Sequence, residues 1–230
     1  MSKRPQRKAR SFVTLLLLGL TIVVLITQLP KAETVKAVEF NRKLIATSGG
    51  WQAASFPVEN FQAYTSPFGY RRSASGGNNM EFHGGLDIAA PQGSYIRNWW
   101  AGTVVKLGDR DACGTHIVIQ SGNWEHTYCH MEGSVENSSG RRYMSDRAGG
   151  IVIWEGQQIP AGARIGRVGM TGRTTGPHLH WGLKYGKNYV DPAKVLREMF
   201  SQQQIAGGST NPQQSAVTIE ESKYIRDNGY

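Results

Sequence analysis

The sequence has only two cysteines, no internal repeat and no coiled-coil heptad pattern. It also lacks a domain-length basic stripe interleaved with aromatic residues, which is the usual sign of a nucleic-acid interface. The net charge of +9 does not change this conclusion, because five basic residues lie within the first ten and the remainder carries about +4. Such a charge suits contact with an acidic polymer or surface, and we expect no nucleic-acid partner.

Glycine and tryptophan are abundant, with 28 and 6 residues. Glycine marks turns and tryptophan favours strands, so the composition favours a turn-rich β protein over a helical bundle. Short β-like segments separated by Gly, Pro and Asn clusters predict an array of antiparallel strands. The clearest of these segments are residues 101–107, 151–154 and 164–169. Residues 191–200 predict a short helix, with Asp191 as its N-cap and Pro192 at its first position.

An apolar run follows the basic N-terminus directly. Residues 12–29 are almost continuously apolar, close to the roughly 20 residues that span a bilayer. A basic flank before such a run is an export signal. Residues 29–32 (LPKA) form a poor cleavage site, because Pro30 and Lys31 stand where small residues are expected. The sequence therefore favours an uncleaved anchor in residues 1–30 over a cleaved signal peptide, and either one takes the rest of the chain out of the cytoplasm.

Export determines how the two cysteines are interpreted. In an oxidising compartment Cys113 and Cys129 more often form a disulfide than a zinc pair or a nucleophile. Residues 117–119 and 125–130 predict two strands joined by a turn, and the bridge would close the mouth of this hairpin. Strict alternation along the second strand predicts that Cys129 points away from His130. The bridge is therefore expected behind the face that carries this histidine.

The chain divides into four parts by composition. Residues 1–30 are the export segment, and residues 31–55 predict a stalk or linker. The main domain is expected at 56–200. Residues 201–230 are rich in Gln, Ser and Asn without a hydrophobic rhythm, which predicts a flexible polar tail.

Four residues carry the strongest chemical signal. His178 and His180 are two apart, so on a strand both face one side while Leu179 faces the core. The two imidazoles can share a metal, or one can bind it while the other works beside it. His83 and Asp87 are four apart, a spacing that a helical turn or a tight loop would bring together. Two histidines and one carboxylate would leave a fourth position open, as catalytic zinc requires, whereas structural zinc is closed by four ligands.

Six segments, all in the same order along the chain, carry a family resemblance. They are residues 68–71 (FGYR), 83–91 (HGGLDIAAP), 102–105 (GTVV), 128–131 (YCHM), 166–172 (GRVGMTG) and 176–180 (GPHLH). Each is weak alone, but together they resemble the LytM/lysostaphin-type zinc peptidases of the M23 family. The resemblance implies a mainly β domain, an antiparallel β-sheet groove of the duplicated hybrid motif, here with an N-terminal transmembrane or signal helix.

The resemblance also implies roles for five residues. Three would bind Zn²⁺: His83, Asp87 and His180. Two match the non-ligand histidines near the metal: His130 and His178. Zinc would polarise the scissile carbonyl and activate water, while one neutral imidazole moves the proton and the other orients or stabilises the oxyanion. Which of the two histidines is the general base stays open here. His116 and His126 match no functional position and are interpreted as structural.

One stretch departs from the family pattern. Residues 132–150 are longer and polar, which predicts a loop insertion near the groove. It is either a solvated loop or a rim or lid that narrows access to the groove. As a lid, it would use one of its arginines to meet a substrate carboxylate. The candidates are Arg141, Arg142 and Arg147.

The sequence thus predicts an exported zinc metalloendopeptidase of the bacterial periplasm or cell envelope, anchored in the inner membrane by its N-terminal segment. The ligands predict zinc-assisted hydrolysis. The resemblance adds the substrate and partner, the peptide stems or cross-bridges of peptidoglycan. An alternative is a peptidoglycan-binding or regulatory module of an envelope, secretion or conjugation apparatus, with little hydrolysis. The complete set of five functional positions favours the enzyme.

Overall fold

The computed structural model describes residues 51–73 and 78–205. The predicted export segment, most of the predicted linker and the tail beyond residue 205 lie outside these ranges. Among the residues described, no helix combines the length and the apolar character needed to cross a bilayer.

Within these ranges the chain forms a single-turn 3-10 helix, fifteen strands and one α-helix. The 3-10 helix is Trp51–Ala53, and the α-helix, α1, is Pro192–Ile205. The strands are β1 (Ala63–Ser66), β2 (Gly69–Arg72), β3 (Met80–His83), β4 (Gly85–Ala89), β5 (Tyr95–Arg97), β6 (Gly102–Gly108), β7 (His116–Ser121), β8 (Trp124–Cys129), β9 (Ser134–Ser138), β10 (Arg141–Asp146), β11 (Ile151–Trp154), β12 (Gln158–Ile159), β13 (Arg164–Arg167), β14 (His178–Tyr185) and β15 (Asn188–Val190).

The largest sheet has the order β1-β4-β14-β8-β7-β6-β12, with β15 paired to β14. All of its pairings are antiparallel. Three smaller sheets are β11-β10-β9, β13-β5 and β2-β3. The predicted antiparallel β fold is therefore confirmed, and the predicted hairpin is β7 and β8.

Alternation along the central strands explains which face is the core. In β14, Leu179, Trp181 and Leu183 are buried, while His178 and His180 face the other side of the sheet. The two-residue periodicity of a strand therefore places the core residues on one face of β14 and the two histidines on the other. The expectation that Leu179 faces the core is confirmed, since it is fully buried.

Four tryptophans form the centre of the core. Trp51, Trp99, Trp124 and Trp181 are all buried and meet edge to face, with ring centroids 5.5 to 5.7 Å apart. Edge-to-face contacts add to the stabilisation that burial of each ring provides. Trp51 lies within the segment predicted as a linker, so the packed domain begins earlier than residue 56.

The C-terminal helix begins as predicted and continues further. The Ala193 N–H donates to Asp191 Oδ1 at 3.0 Å, which is the N-cap bond expected for this residue. The helix runs to residue 205 rather than 200, because its last turn contacts the 3-10 helix. The Trp51 N–H donates to Gln202 Oε1 at 2.7 Å, and Gln203 Nε2 donates to Ala54 O at 2.8 Å.

The predicted loop insertion is a hairpin in the structure. β9 and β10 pair with each other and with β11, and Met144 of β10 is fully buried. Burial of this side chain favours a packed hairpin over a solvated loop. Its arginines bind within the domain: Arg141 lies over the Trp154 ring, Arg142 donates to Leu107 O, and Arg147 pairs with Glu136.

Candidate active site

Strands β3, β4 and β14 bring the three predicted ligands together. In the register of β14 with β4, His180 lies opposite Asp87. His83 ends β3 and Gly84 separates it from β4, so a break between two strands joins this pair, not the predicted helical turn or tight loop. The close approach also requires Gly85, since a Cβ there would lie 2.7 Å from His180 Cε1.

The three side chains direct one ligand atom each at a common point. His83 Nε2 lies 3.0 Å from Asp87 Oδ1 and 2.9 Å from His180 Nδ1, and His180 Nδ1 lies 2.9 Å from Asp87 Oδ1. His83 Nδ1 is 2.6 Å from Pro67 O and must donate to this carbonyl, so the neutral form of the ring has its lone pair on Nε2. Because this nitrogen faces a carboxylate oxygen, the contact is favourable only with a proton or a metal cation between the two atoms. These three donor atoms therefore fit a metal ion that prefers nitrogen and oxygen ligands, such as zinc.

Other groups orient the carboxylate and the first histidine. The Pro67 carbonyl holds the His83 ring, which is the usual way in which a ligating histidine is fixed. Arg71 Nη2 is 3.9 Å from Asp87 Oδ2, and Thr65 Oγ1 donates to the Asp87 carbonyl at 3.3 Å. Burial opposes ionisation of Asp87, but contacts with His180 and His83 keep its pKa below its usual range. Sequence reasoning gave Arg71 no role, although it belongs to the FGYR segment.

Two further histidines lie beside this centre. The His178 Nδ1–H donates to Gly176 O at 2.9 Å, and its Nε2 lies 3.5 Å from Asp87 Oδ1. The His130 Nδ1–H donates to Thr171 O at 2.9 Å, and the two rings are 4.8 Å apart. In both rings the carbonyl takes the Nδ1 hydrogen, so Nε2 is the basic nitrogen of the neutral form. Burial lowers the pKa of His130 to about 4, so this ring is neutral at pH 7.

All five predicted site residues line one open groove of about 1110 Å³. Its walls carry cations and anions, the cations being Arg71, Lys106, Arg173 and Lys184. None of the arginines of the β9–β10 hairpin lines it. The groove is large enough for an extended peptide, since drug-sized ligands occupy roughly 300–1,000 Å³.

The disulfide between Cys113 and Cys129 is confirmed, but its predicted position was wrong. Cys129 lines the groove together with His130, whereas His126 and Tyr128 face the core. The reason is the backbone of His130, which lies just beyond β8 in a left-handed conformation with a φ of 59°. This conformation ends the strand alternation on which the prediction depended.

The remaining histidines lie outside the group of five. His126 is fully buried, where it contacts Ser121 Oγ and Tyr128 Oη, and burial lowers its pKa to about 3. His116 is buried and its Nδ1–H donates to Gly114 O at 2.8 Å. His116 also approaches Asp111 and Cys113, but Cys113 is in the disulfide and offers no thiolate to a metal.

Comparison with known proteins places this geometry in context. The model of peptidase family M23 matches residues 81–192. The peptidoglycan DD-endopeptidase ShyA of Vibrio cholerae is 33% identical over 129 residues, which are 56% of this chain and 26% of that protein. The DD-carboxypeptidase/endopeptidase Mpg of Neisseria meningitidis is 33% identical over 132 residues, 57% of this chain and 26% of that protein. This chain thus spans about a quarter of the length of these curated relatives.

Among solved structures, a zinc containing peptidase from Vibrio cholerae aligns with 59% of this chain and 37% of its own, at 26% identity and a TM-score of 0.46. The catalytic domain of the prophage-encoded M23 protein EnpA from Enterococcus faecalis aligns with 62% of this chain and 96% of its own, at 28% identity and a TM-score of 0.45.

Proposed function

We propose that residues 81–192, which match the model of peptidase family M23, belong to a zinc-dependent endopeptidase that acts on peptidoglycan. It hydrolyses amide bonds in the peptide stems or cross-bridges of that polymer. The observation that carries the proposal is the convergence of three ligand atoms, all within 3.0 Å of one another, on the floor of an open groove. The substrate class is supported by the name of the Vibrio relative, a peptidoglycan DD-endopeptidase.

His83, Asp87 and His180 hold the zinc in this proposal. Bound there, the ion would act as a Lewis acid towards the scissile carbonyl and lower the pKa of water. The protein contributes three ligands and leaves the side towards the groove free. The Pro67 carbonyl keeps the His83 ring in the tautomer that binds through Nε2.

His130 and His178 both act on the attacking water in this proposal. Each ring has its Nδ1 hydrogen on a backbone carbonyl and thus offers Nε2 to the groove as a base. One imidazole takes a proton from the attacking water at its Nε2 and passes it to the leaving amine, while the other accepts a hydrogen bond from that water at its own Nε2 and so orients it. We assign His178 as the base, because its Nε2 lies 3.5 Å from Asp87 Oδ1, one of the proposed ligand atoms.

The enzyme works in the cell envelope, with residues 1–30 as its membrane anchor. The basic flank and the apolar run of residues 12–29 support this location. The disulfide between Cys113 and Cys129 supports it independently, since such bridges persist in oxidising compartments. The periplasm provides both an oxidising environment and access to the wall.

Digestion of purified peptidoglycan by the full chain in mild detergent tests the function. The products, separated and identified by mass spectrometry, should carry new amine and carboxyl ends within the peptide part and intact glycan. His178→Ala provides the control for a contaminating hydrolase, and the same products from this variant at full rate would argue against the assigned site. Binding to the polymer without new ends would instead support a regulatory module.

A further inference from the structure

The disulfide lies beside the catalytic groups. Cys129 is the last residue of β8, and its partner in the register with β14 is His180. Cys113 belongs to the segment between β6 and β7, residues 109–115, which we call the stapled loop. The bridge therefore ties the stapled loop to the strand end that immediately precedes His130.

The stapled loop holds the backbone of His130. This residue has a φ of 59°, a conformation that is unfavourable for a residue with a Cβ and persists where its surroundings hold it. The His130 N–H donates to Cys113 O at 2.8 Å, and the Met131 N–H donates to Thr115 O at 3.0 Å. Both acceptors lie in the stapled loop, and the first is the carbonyl of a disulfide cysteine.

The same loop also holds the acceptor of the His130 ring. The ring donates to the carbonyl of Thr171, and the Thr115 N–H donates to Thr171 Oγ1 at 2.8 Å. The Arg173 N–H donates to Ala112 O at 2.9 Å. Gly114 and Gly172 face each other so closely that a Cβ on either would collide with the opposite backbone.

Backbone and ring of His130 thus depend on one loop, and the bridge is its covalent attachment to β8. We propose that the disulfide between Cys113 and Cys129 is a positioning element for His130, so that opening it slows turnover while zinc remains bound. The ligands lie outside the stapled loop, on β3, β4 and β14, and the His83 ring is held by the Pro67 carbonyl. The proposal rests on the proposed function for its kinetic readout.

The test compares oxidised and reduced full-length chain, purified in mild detergent. A water-soluble phosphine donates two electrons to the S–S bond, giving two thiols and the phosphine oxide, whose oxygen comes from water. Thiol labelling checks that reduction is complete, and metal analysis of the same sample measures zinc. We expect kcat on a soluble cross-linked peptide to fall about ten- to a hundredfold, with zinc content unchanged, as displacement of a catalytic group predicts. KM should change by less than roughly twofold.

Variants distinguish positioning from general loosening of the domain. The pair Cys113→Ala and Cys129→Ala should show the same low kcat and no response to phosphine. Thr171→Val removes the bond from Thr115 without touching the disulfide and should also lower kcat, whereas Thr171→Ser should restore it. Thr103→Val is the matched control, because Thr103 binds Gln158 in a pairing of β6 with β12, and it should leave kcat unchanged.

A readout that needs no catalysis completes the test. In nitrogen NMR spectra of the zinc-loaded chain, reduction should shift the His130 ring signals, assigned with His130→Gln, and leave those of His83 and His180 in place. Reduced chain with an unshifted His130 signal and unchanged kcat would overturn the proposal, and so would zinc loss in step with the fall in activity. A chain that is inactive when oxidised would contradict the proposed function instead, and the NMR shift would still decide the positioning role.

Discussion

Replacement of Arg167 by methionine tests whether the β9–β10 hairpin is a fixed part of the domain or a lid. Arg167 Nε and Nη2 donate to Asp146 Oδ2 and Oδ1 at 2.6 and 2.7 Å. Asp146 ends β10 and its side chain is only 4% exposed. Methionine keeps most of the apolar stem of Arg167 but removes both donors, so the carboxylate stays buried without its cation.

The expected cost follows from this burial. Removing one partner of a buried ion pair costs about 3–5 kcal/mol. The lower end applies here, because the Arg167 side chain is 19% exposed and the Gly149 N–H still donates to Asp146 Oδ1 at 3.0 Å. We expect a loss of about 3 kcal/mol at pH 7, which for a domain of this size lowers the melting temperature by roughly 6–12 °C.

The pair also predicts the pH dependence of this loss. The hydrogen bonds from Arg167 hold the pKa of Asp146 below its usual value of 3.8. Its contribution to stability is therefore complete above that value and is lost as the pH falls through the lower pKa of the folded state. The difference in melting temperature between wild type and Arg167→Met should accordingly close in acid.

Circular dichroism melts measure these differences. The double variant Asp146→Leu with Arg167→Met should regain most of the stability, since it leaves no buried charge. Arg164→Met on the same strand is the control; its ion pair with Glu59 is half exposed and should be worth less than about 1 kcal/mol. An unchanged melting temperature in Arg167→Met, together with faster digestion of peptidoglycan, would refute the reasoning and identify the hairpin as a lid.

Three further changes test the site and the core. His180→Ala removes one of the three proposed ligands and should abolish zinc binding and activity together, as metal analysis and digestion will show; retained zinc would contradict its role. His178→Ala should keep zinc and lose about 10²- to 10⁴-fold in kcat, and a smaller loss would leave His130 as the base. The pKa of His126 is about 3 when folded against 6.5 when unfolded, so stability should fall as pH drops through this window. In His126→Phe, the melting temperature should depend less on pH within this window.

The ligand geometry could be predicted because it depends on local alternation. Two-residue periodicity places His178 and His180 on one face of β14 and Leu179 on the other, whatever the sheet around them. The spacing of His83 and Asp87 correctly predicted that the two side chains lie close together, but it gave the wrong backbone conformation between them. A strand break at Gly84 gives the same proximity as a helical turn, and spacing alone does not distinguish the two.

The remaining features depend on contacts between distant parts of the chain. The left-handed backbone of His130 is held by carbonyls of the stapled loop, so alternation gave the wrong side for Cys129. Trp51 is buried by residues far along the chain, and the composition of its own segment gives no sign of this. The polar composition of residues 132–150 likewise predicted a loop, although the structure has a packed hairpin there. Its charged residue Asp146 is buried because it pairs with Arg167, which lies outside this segment.

Zinc content and peptidoglycan digestion, measured on one sample of the full chain in mild detergent, test the central claim most directly. The account predicts about one zinc per chain, in keeping with a three-ligand site, and new peptide ends in the digest. Both should vanish on chelation, return when zinc is restored, and stay absent in His180→Ala. A folded chain that binds no zinc, or that digests peptidoglycan equally well after the metal is removed, would contradict it.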